Sequence, residues 1–208
     1  MEIRSKKELR FFIMADRMMN RGSFRPSVKD FIKDVIKPDY LMRFLVIMRK
    51  VSYYSQKKGG GILPYYYKWR FSELSLKLGF SIGYNCFDYG LVIPHYGTIV
   101  VGSSNRFGKY AVLHTSTCIT DNGKIVGDAF YLSTGVKITS RVDLGDNISV
   151  GSNSLVNKSY LQGNVLLAGT PAKVIKPSDP WYIRDGEQYS QRVENVEELR
   201  KRMFLKYR

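Results

Sequence analysis

The chain of 208 residues has little of what disulfide scaffolds, metal centres and membrane spans need. It holds two cysteines, Cys86 and Cys118, and two histidines, His95 and His114. Two cysteines do not staple a secreted domain, and the charged opening MEIRSKKELR has no apolar secretory core, so the sequence predicts a protein of the reducing cytoplasm. The longest apolar stretch, 41–48, contains Arg43 and falls far short of the roughly 20 residues a membrane span requires. Any membrane contact is therefore expected to be peripheral. Acidic residues are scarce as well: 18 Asp and Glu stand against 33 Lys and Arg. The net charge of +15 should draw an anionic partner, whether nucleic acid, a membrane face or a phosphorylated small molecule.

What is present is enough apolar content, 44%, to bury the core of one ordinary domain. Charge is distributed unevenly, with net +11 in residues 1–78, +3 in 79–177 and +1 in 178–208. Glycine shifts at the same place, since before Gly79 it occurs only at Gly22 and in the run 59–61. The chain divides accordingly into a helical N-terminal region, 1–78, a central domain, 79–177, and a C-terminal tail, 178–208.

In the first region Ser5 and Glu8 make a capping box ahead of Leu9, Phe12, Ile13 and Met19 at helical spacing. Ser27 and Asp30 open a second helix that Pro38 closes, and Asp39 caps a third carrying Leu41, Phe44, Leu45, Met48 and Val51. Pro64 suits the first turn of a fourth helix over 65–78, with Gly79 as its stop. Between the last two, SQKKGGGILP reads as a loop.

The central domain changes period. Val101, Phe107, Leu113 and Ile119 lie six residues apart, as do Val126, Leu132, Ile138, Leu144, Val150 and Val156, with one extra residue between the two runs. Small residues often follow these anchors, and the positions four beyond them are mostly apolar or small: Ala111, Phe130, Val136, Val142, Ile148 and Ser154. A period of six fits neither a helix nor simple strand alternation. It predicts a parallel β-helix of three short strands per coil, about eighteen residues each, with room for about five coils between 82 and 175.

The hexads, the stretch IPHYGTIVVG at 93–102 and the closing LAGTPAKVI at 167–175 resemble the left-handed β-helix acyltransferases of the hexapeptide-repeat superfamily. The likeness is greatest to serine acetyltransferases and to the O-acetyltransferases of bacterial polysaccharide gene clusters. It covers 79–177, and YYYKWRFSELSLKLGFSIG before it is similar to the helical lead-in of the polysaccharide-cluster enzymes. The resemblance implies a mainly β fold behind an α-helical segment, a homotrimer, acetyl-coenzyme A as donor without a metal, and active sites in clefts between subunits.

Acyl transfer to an alcohol needs a base, and a neutral imidazole with an ordinary pKa of about 6.5 suits that task. His95 matches the catalytic histidine of the family motif and lies on the anchor register, six before Val101. His114 follows Leu113, eighteen beyond position 95, and is expected one coil above His95, where it orients the acceptor or polarises the thioester carbonyl. Three departures from serine acetyltransferases stand out. Pro94 and Phe80 replace two Asp residues, and ITDNGKIV stands where those enzymes carry a Gly-rich loop with an Arg-His pair. Lys124 or Arg106 is what remains to meet a serine carboxylate. The expectation is therefore a sugar or polysaccharide-precursor hydroxyl as acceptor, bound by Asp88, Tyr89 and Tyr96, with serine as the alternative. Asp88 is also the candidate to fix the His95 tautomer.

By motif position the resemblance assigns the donor to Thr134, Gly135, Ser152, Asn153, Ala168, Gly169 and Lys173, with Lys158 as a phosphate contact. A three-histidine zinc enzyme of the same fold fails on count. No nucleic-acid motif appears. Tyr53, Tyr54, Tyr65, Tyr66, Tyr67 and Trp69, interleaved with Lys57, Lys58, Lys68 and Arg70, form a candidate patch within 41–72 for the inner face of an anionic membrane, unless these aromatics pack the helices. The tail, with Val196, Leu199, Met203 and Phe204 on one side of a short helix, is expected to fold back on the trimer and carries no motif.

Overall fold

The computed structural model describes residues 2–57 and 61–205, so Lys58, Gly59 and Gly60 of the linker lie outside the described residues. Four helices come first: α1 (Lys6–Arg21), α2 (Val28–Ile36), α3 (Tyr40–Tyr54) and α4 (Leu63–Leu78). Their ends follow the sequence signals. Ser5–Glu8 and Ser27–Asp30 both close capping boxes, Asp39 accepts from the Met42 N–H, and Gly79 ends α4 in the left-handed conformation at φ 76°.

Thirteen short strands follow. They are β1 (Phe80–Ile82), β2 (Ile99–Val101), β3 (Arg106–Phe107), β4 (Val112–Leu113), β5 (Thr117–Ile119), β6 (Ile125–Val126), β7 (Tyr131–Leu132), β8 (Lys137–Ile138), β9 (Asp143–Leu144), β10 (Ile148–Val150), β11 (Leu155–Val156), β12 (Val165–Gly169) and β13 (Ala172–Pro177). They stack as three sheets, β1-β2-β5-β8-β11, β4-β7-β10-β12-β13 and β3-β6-β9. All pairings are parallel except the final β12–β13 hairpin, which gives a solenoid of about five turns.

All ten six-spaced anchors point inward, none more than 3% exposed, and the six positions four residues beyond them are buried too. Each inward side chain stacks on its equivalent a coil away, so every coil supplies the apolar floor of the next. Corners demand small residues for a geometric reason. A Cβ at Gly108 or Gly127 would come within 2.2 Å of the carboxylate of Asp128 or Asp146 in the following coil.

The first coil is longer than the hexad expectation. Phe87 bridges to Phe107 and Val92 to Val112, a return of twenty residues, which places Ile93 rather than His95 beneath Leu113. His95 is therefore not an inward anchor. The two additional residues before Val101 lift 94–96 onto the surface, where all three side chains are exposed.

The helices are tied to this coil by one buried ion pair. Arg49 of α3 donates from Nε and Nη2 to the Asp16 carboxylate of α1 at 2.7 and 3.0 Å, and from Nη1 and Nη2 to the carbonyls of Phe87 and Asp88 at 2.7 Å each. Asp16 also accepts from the Gly90 and Leu91 amides at 2.8 and 3.1 Å. The tail forms α5 (Trp181–Arg184) and α6 (Glu187–Phe204), which pack on the chain's own α1 and first coils. Glu197 accepts from the Tyr89 and Tyr110 hydroxyls, and Arg192 donates to the Met19 carbonyl.

Removing the carboxylate with Asp16→Ala leaves Arg49 buried without its counter-charge, and the expected loss is about 3–5 kcal/mol in urea unfolding. Burial pushes the Glu197 carboxyl up, but the Tyr110 and Tyr89 hydroxyls and Lys109 outweigh it and hold its pKa below the ordinary value. The unfolded chain then takes up the proton more readily. The clasp should hold above the ordinary Glu pKa of about 4.3 and weaken as pH falls below it, seen as amide exchange rising first in α6.

Candidate active site

The corner that leads from the β4-β7-β10-β12 sheet into the β2-β5-β8-β11 sheet carries both histidines. Its turns stack as rungs. The Ser116 amide donates to Thr98 O at 2.6 Å, Gly135 to Thr115 O at 3.1 Å and Asn153 to Thr134 O at 3.0 Å, while the Thr170 hydroxyl reaches Asn153 O at 3.3 Å. Gly135 is at φ 80°, and a Cβ there would stand 2.0 Å from Asn153 Oδ1, so any larger residue at this rung would be strained and would have to displace the Asn153 side chain.

His95 sits at the foot of this ladder, exposed, with its ring centroid 6.4 Å from that of His114. Among the described residues its side chain makes no hydrogen bond. His114 is half-buried on the next rung, and its Nε2 shares a 2.9 Å hydrogen bond with the Tyr131 hydroxyl. Burial, and after it the neighbouring His95, lowers the His114 pKa, favouring the neutral ring. With Nε2 engaged, Nδ1 is the ring nitrogen that has no hydrogen-bond partner among the described residues. Tyr131 is itself held: the Arg184 guanidinium lies 5.0 Å from its ring centroid, and Arg184 Nη1 donates to Ser149 Oγ at 2.8 Å. Trp181 fixes α5 by donating to the Tyr110 carbonyl at 2.8 Å.

Of the predicted site residues, the corner brings together His95, Tyr96, His114, Thr134, Gly135, Ser152, Asn153, Ala168 and Gly169. Lys173 joins them through the hairpin, paired with Ala168. Backbone groups and Lys173 are thus what this corner offers an elongated anionic ligand. Lys158 lies on a different corner, with its Nζ 5.3 Å from the Tyr160 ring centroid.

Asp88 and Tyr89 are placed elsewhere. The Asp88 carboxylate accepts from the Tyr89 amide at 2.7 Å, and Tyr89 is buried against Phe11, its ring centroid 4.9 Å away, with its hydroxyl on Glu197. Both line a cavity of about 370 Å³ between α1, α6 and the first coil, and neither bonds to His95. The residues offered for a serine carboxylate are engaged as well. Lys124 Nζ donates to Thr120 O and Asn122 Oδ1, and Arg106 to the carbonyls of Ser103 and Asn105, on the corner after β2 and β5. Among the described residues no His, Cys, Asp and Glu cluster could hold a metal ion.

Sequence reasoning missed Tyr131 and Arg184. Tyr131 precedes the anchor Leu132 and must point outward, a signal that was available, whereas nothing local ties Arg184 to His114. The imidazole of His114 should titrate with a midpoint below the free value of about 6.5, read from its ring-proton NMR shift with His95→Ala to assign it; a midpoint above that value contradicts the placement.

No family model matches the chain. Solved structures do. The serine acetyltransferase from Brucella abortus strain S19 aligns with TM-score 0.58 at 22% identity over 83% of this chain and 69% of that one. That of Neisseria gonorrhoeae aligns with TM-score 0.60 at 17% identity over 88% and 72%. The Brucella abortus enzyme in complex with coenzyme A aligns with TM-score 0.52 at 19% identity over 83% and 68%. The chain therefore has the hexapeptide-repeat left-handed β-helix fold in which these serine acetyltransferases are built.

Proposed function

We propose that the chain is an acetyl-coenzyme A-dependent O-acetyltransferase with His95 as general base. The observation that carries the proposal is the exposed imidazole of His95 beside a half-buried, neutral His114, at the foot of a ladder of corner turns. His95 takes the proton as the acceptor oxygen attacks the thioester carbonyl carbon. The C–S bond then breaks, and the imidazolium returns the proton to the leaving thiolate. We assign His114 a positioning and polarising role: in the tautomer in which the Tyr131 hydroxyl donates to Nε2, the Nδ1–H is left to donate to the carbonyl oxygen or the acceptor.

The donor assignment rests on the ladder, whose successive backbone groups at Thr134, Gly135, Ser152, Asn153, Ala168 and Gly169 suit pantetheine amides, with Lys173 near the phosphates. The crystallisation of a structural neighbour with coenzyme A supports it. A homotrimer belongs to the same proposal, because a convex corner cannot enclose a thioester without a second prism beside it.

L-serine takes precedence over the carbohydrate expected from the sequence. The solved structures that share the fold are named for serine, and the loss of Asp88 and Tyr89 from the neighbourhood of His95 removes two of the three residues on which the sugar reading rested. A sugar or polysaccharide-precursor hydroxyl stays as the second reading on one observation: Lys124 and Arg106 spend their donors on their own loops.

Thiol release from acetyl-coenzyme A, measured against L-serine, free sugars, nucleotide sugars and oligosaccharide fragments, separates the two. L-serine should be turned over fastest, and His95→Ala should lower kcat by at least about 100-fold. A sugar acceptor that outpaces serine overturns the serine reading. Full activity of the His95 variant ends the assignment of the base.

A further inference from the structure

Helix α2 is docked inside out. Val28, Phe31, Ile32, Val35 and Ile36 recur at helical spacing on one face, a pattern that ordinarily packs onto a core. Here all five are 59–84% exposed, and α2 contributes no buried residue. The least exposed positions of the helix are its two aspartates. Asp30 accepts from Arg17 of α1 at 2.8 Å, and Asp34 from Arg43 of α3 at 2.6 Å and from the Asp39 amide at 2.6 Å. The polar face is tethered and the apolar stripe looks outward.

The surroundings of the stripe say what covers it. Lys29 and Lys33, one helical turn apart and both exposed, flank it on the side away from the tethering carboxylates. The region 1–78 to which it belongs carries net +11. A second copy of the chain would bring two such regions together, so like charge opposes self-pairing through this face. A surface that is apolar within and negatively charged at its boundary matches both features. We propose that α2 seats Phe31, Ile32, Val35 and Ile36 in the headgroup boundary of an anionic phospholipid bilayer, with Lys29 and Lys33 on the lipid charges. Among the described residues no helix is long and apolar enough to cross a membrane, and the seat proposed is on its surface. The site differs from the stretch 41–72 singled out in the sequence: α3 is largely core, with Tyr53 buried, while Tyr65, Tyr66 and Trp69 of α4 are exposed.

The full chain is sedimented with phosphatidylcholine vesicles with and without 30% phosphatidylglycerol, a fraction of about that size giving an anionic surface potential. It should bind the anionic vesicles and not the neutral ones. The double variant Phe31→Ser/Val35→Ser, whose exposed positions leave the fold and its circular dichroism unchanged, should lose binding. Reversal of Lys29 and Lys33 to Glu should weaken it by on the order of fivefold or more per lysine. Three results overturn the proposal: no binding of the natural chain, equal binding by the serine variant, or a fall in solution mass on the serine substitutions without lipid binding, which assigns the face to a second copy. None of these readouts depends on acetyl transfer.

Discussion

The pairing of Asp16 with Arg49 is the joint through which the helices, the solenoid and the candidate site meet. A buried ion pair is a weak source of net stability, since desolvating both charges offsets most of their attraction. Its value here lies in specificity. The two groups between them satisfy four backbone polar groups at the start of the first coil, the carbonyls of Phe87 and Asp88 and the amides of Gly90 and Leu91. Those groups have no coil beneath them to pair with. An end of a β-solenoid is an open edge, and α1 and α3 cover it with charged side chains because a strand is not there to do so. Asn20, one turn beyond Asp16, continues the arrangement by donating to the Leu91 carbonyl and accepting from the Ile93 amide. The backbone is thus clamped up to the residue that precedes Pro94 and His95. The placement of the proposed base depends on the helical region.

From that fixed end the solenoid carries geometry upward by repetition. Register is inherited: Leu113, Leu132 and Val150 stack because each coil pairs with the one below, so a shift in one return would propagate to all above it. Two insertions are tolerated because they lie at corners. The extra residue between Ile119 and Val126 is absorbed in the 120–124 turn, where Lys124 pins the loop to Thr120 and Asn122. The extra residues of the first coil are absorbed at 94–96, and they are what place a histidine outside the prism rather than in it.

Legibility in the sequence followed the same division. Ten anchors and four helix starts could be read because each rests on a local rule, six-residue return, side-chain capping for α1 to α3 or a proline in the first turn for α4, that tertiary contacts reinforce. His95 was legible as a candidate base by motif but misplaced by extrapolating the period backward through an irregular coil. Asp88 and Tyr89 are near His95 in sequence yet turn toward α1 and α6, because six residues in a solenoid are enough to pass from one face to the next. Arg184 and Trp181 reach the His114–Tyr131 pair from the tail, a contact that no spacing rule encodes. The orientation of α2 was hidden for the opposite reason. Its amphipathic pattern is the usual signature of burial, and only the ion pairs of Asp30 and Asp34 show that the face is turned outward.

The exposure of His95 bears on how the site must be completed. A thioester bound on a single convex corner would meet water from several sides, and hydrolysis would compete with transfer to an alcohol. Transfer requires that bulk water be replaced by fixed dipoles around the developing charge. The chain's own elements supply part of that enclosure: Tyr131 and the α5 residues wall one side of His114, and the rung of Gly135 and Asn153 walls the top. The remaining side, beyond His95 and Tyr96, has no cover among the described residues, where both are exposed. In the proposed trimer that side is the cleft against the next prism. The unsatisfied imidazole of His95 and the missing wall are then two expressions of one arrangement, in which the corner is a half-site that a neighbouring subunit closes.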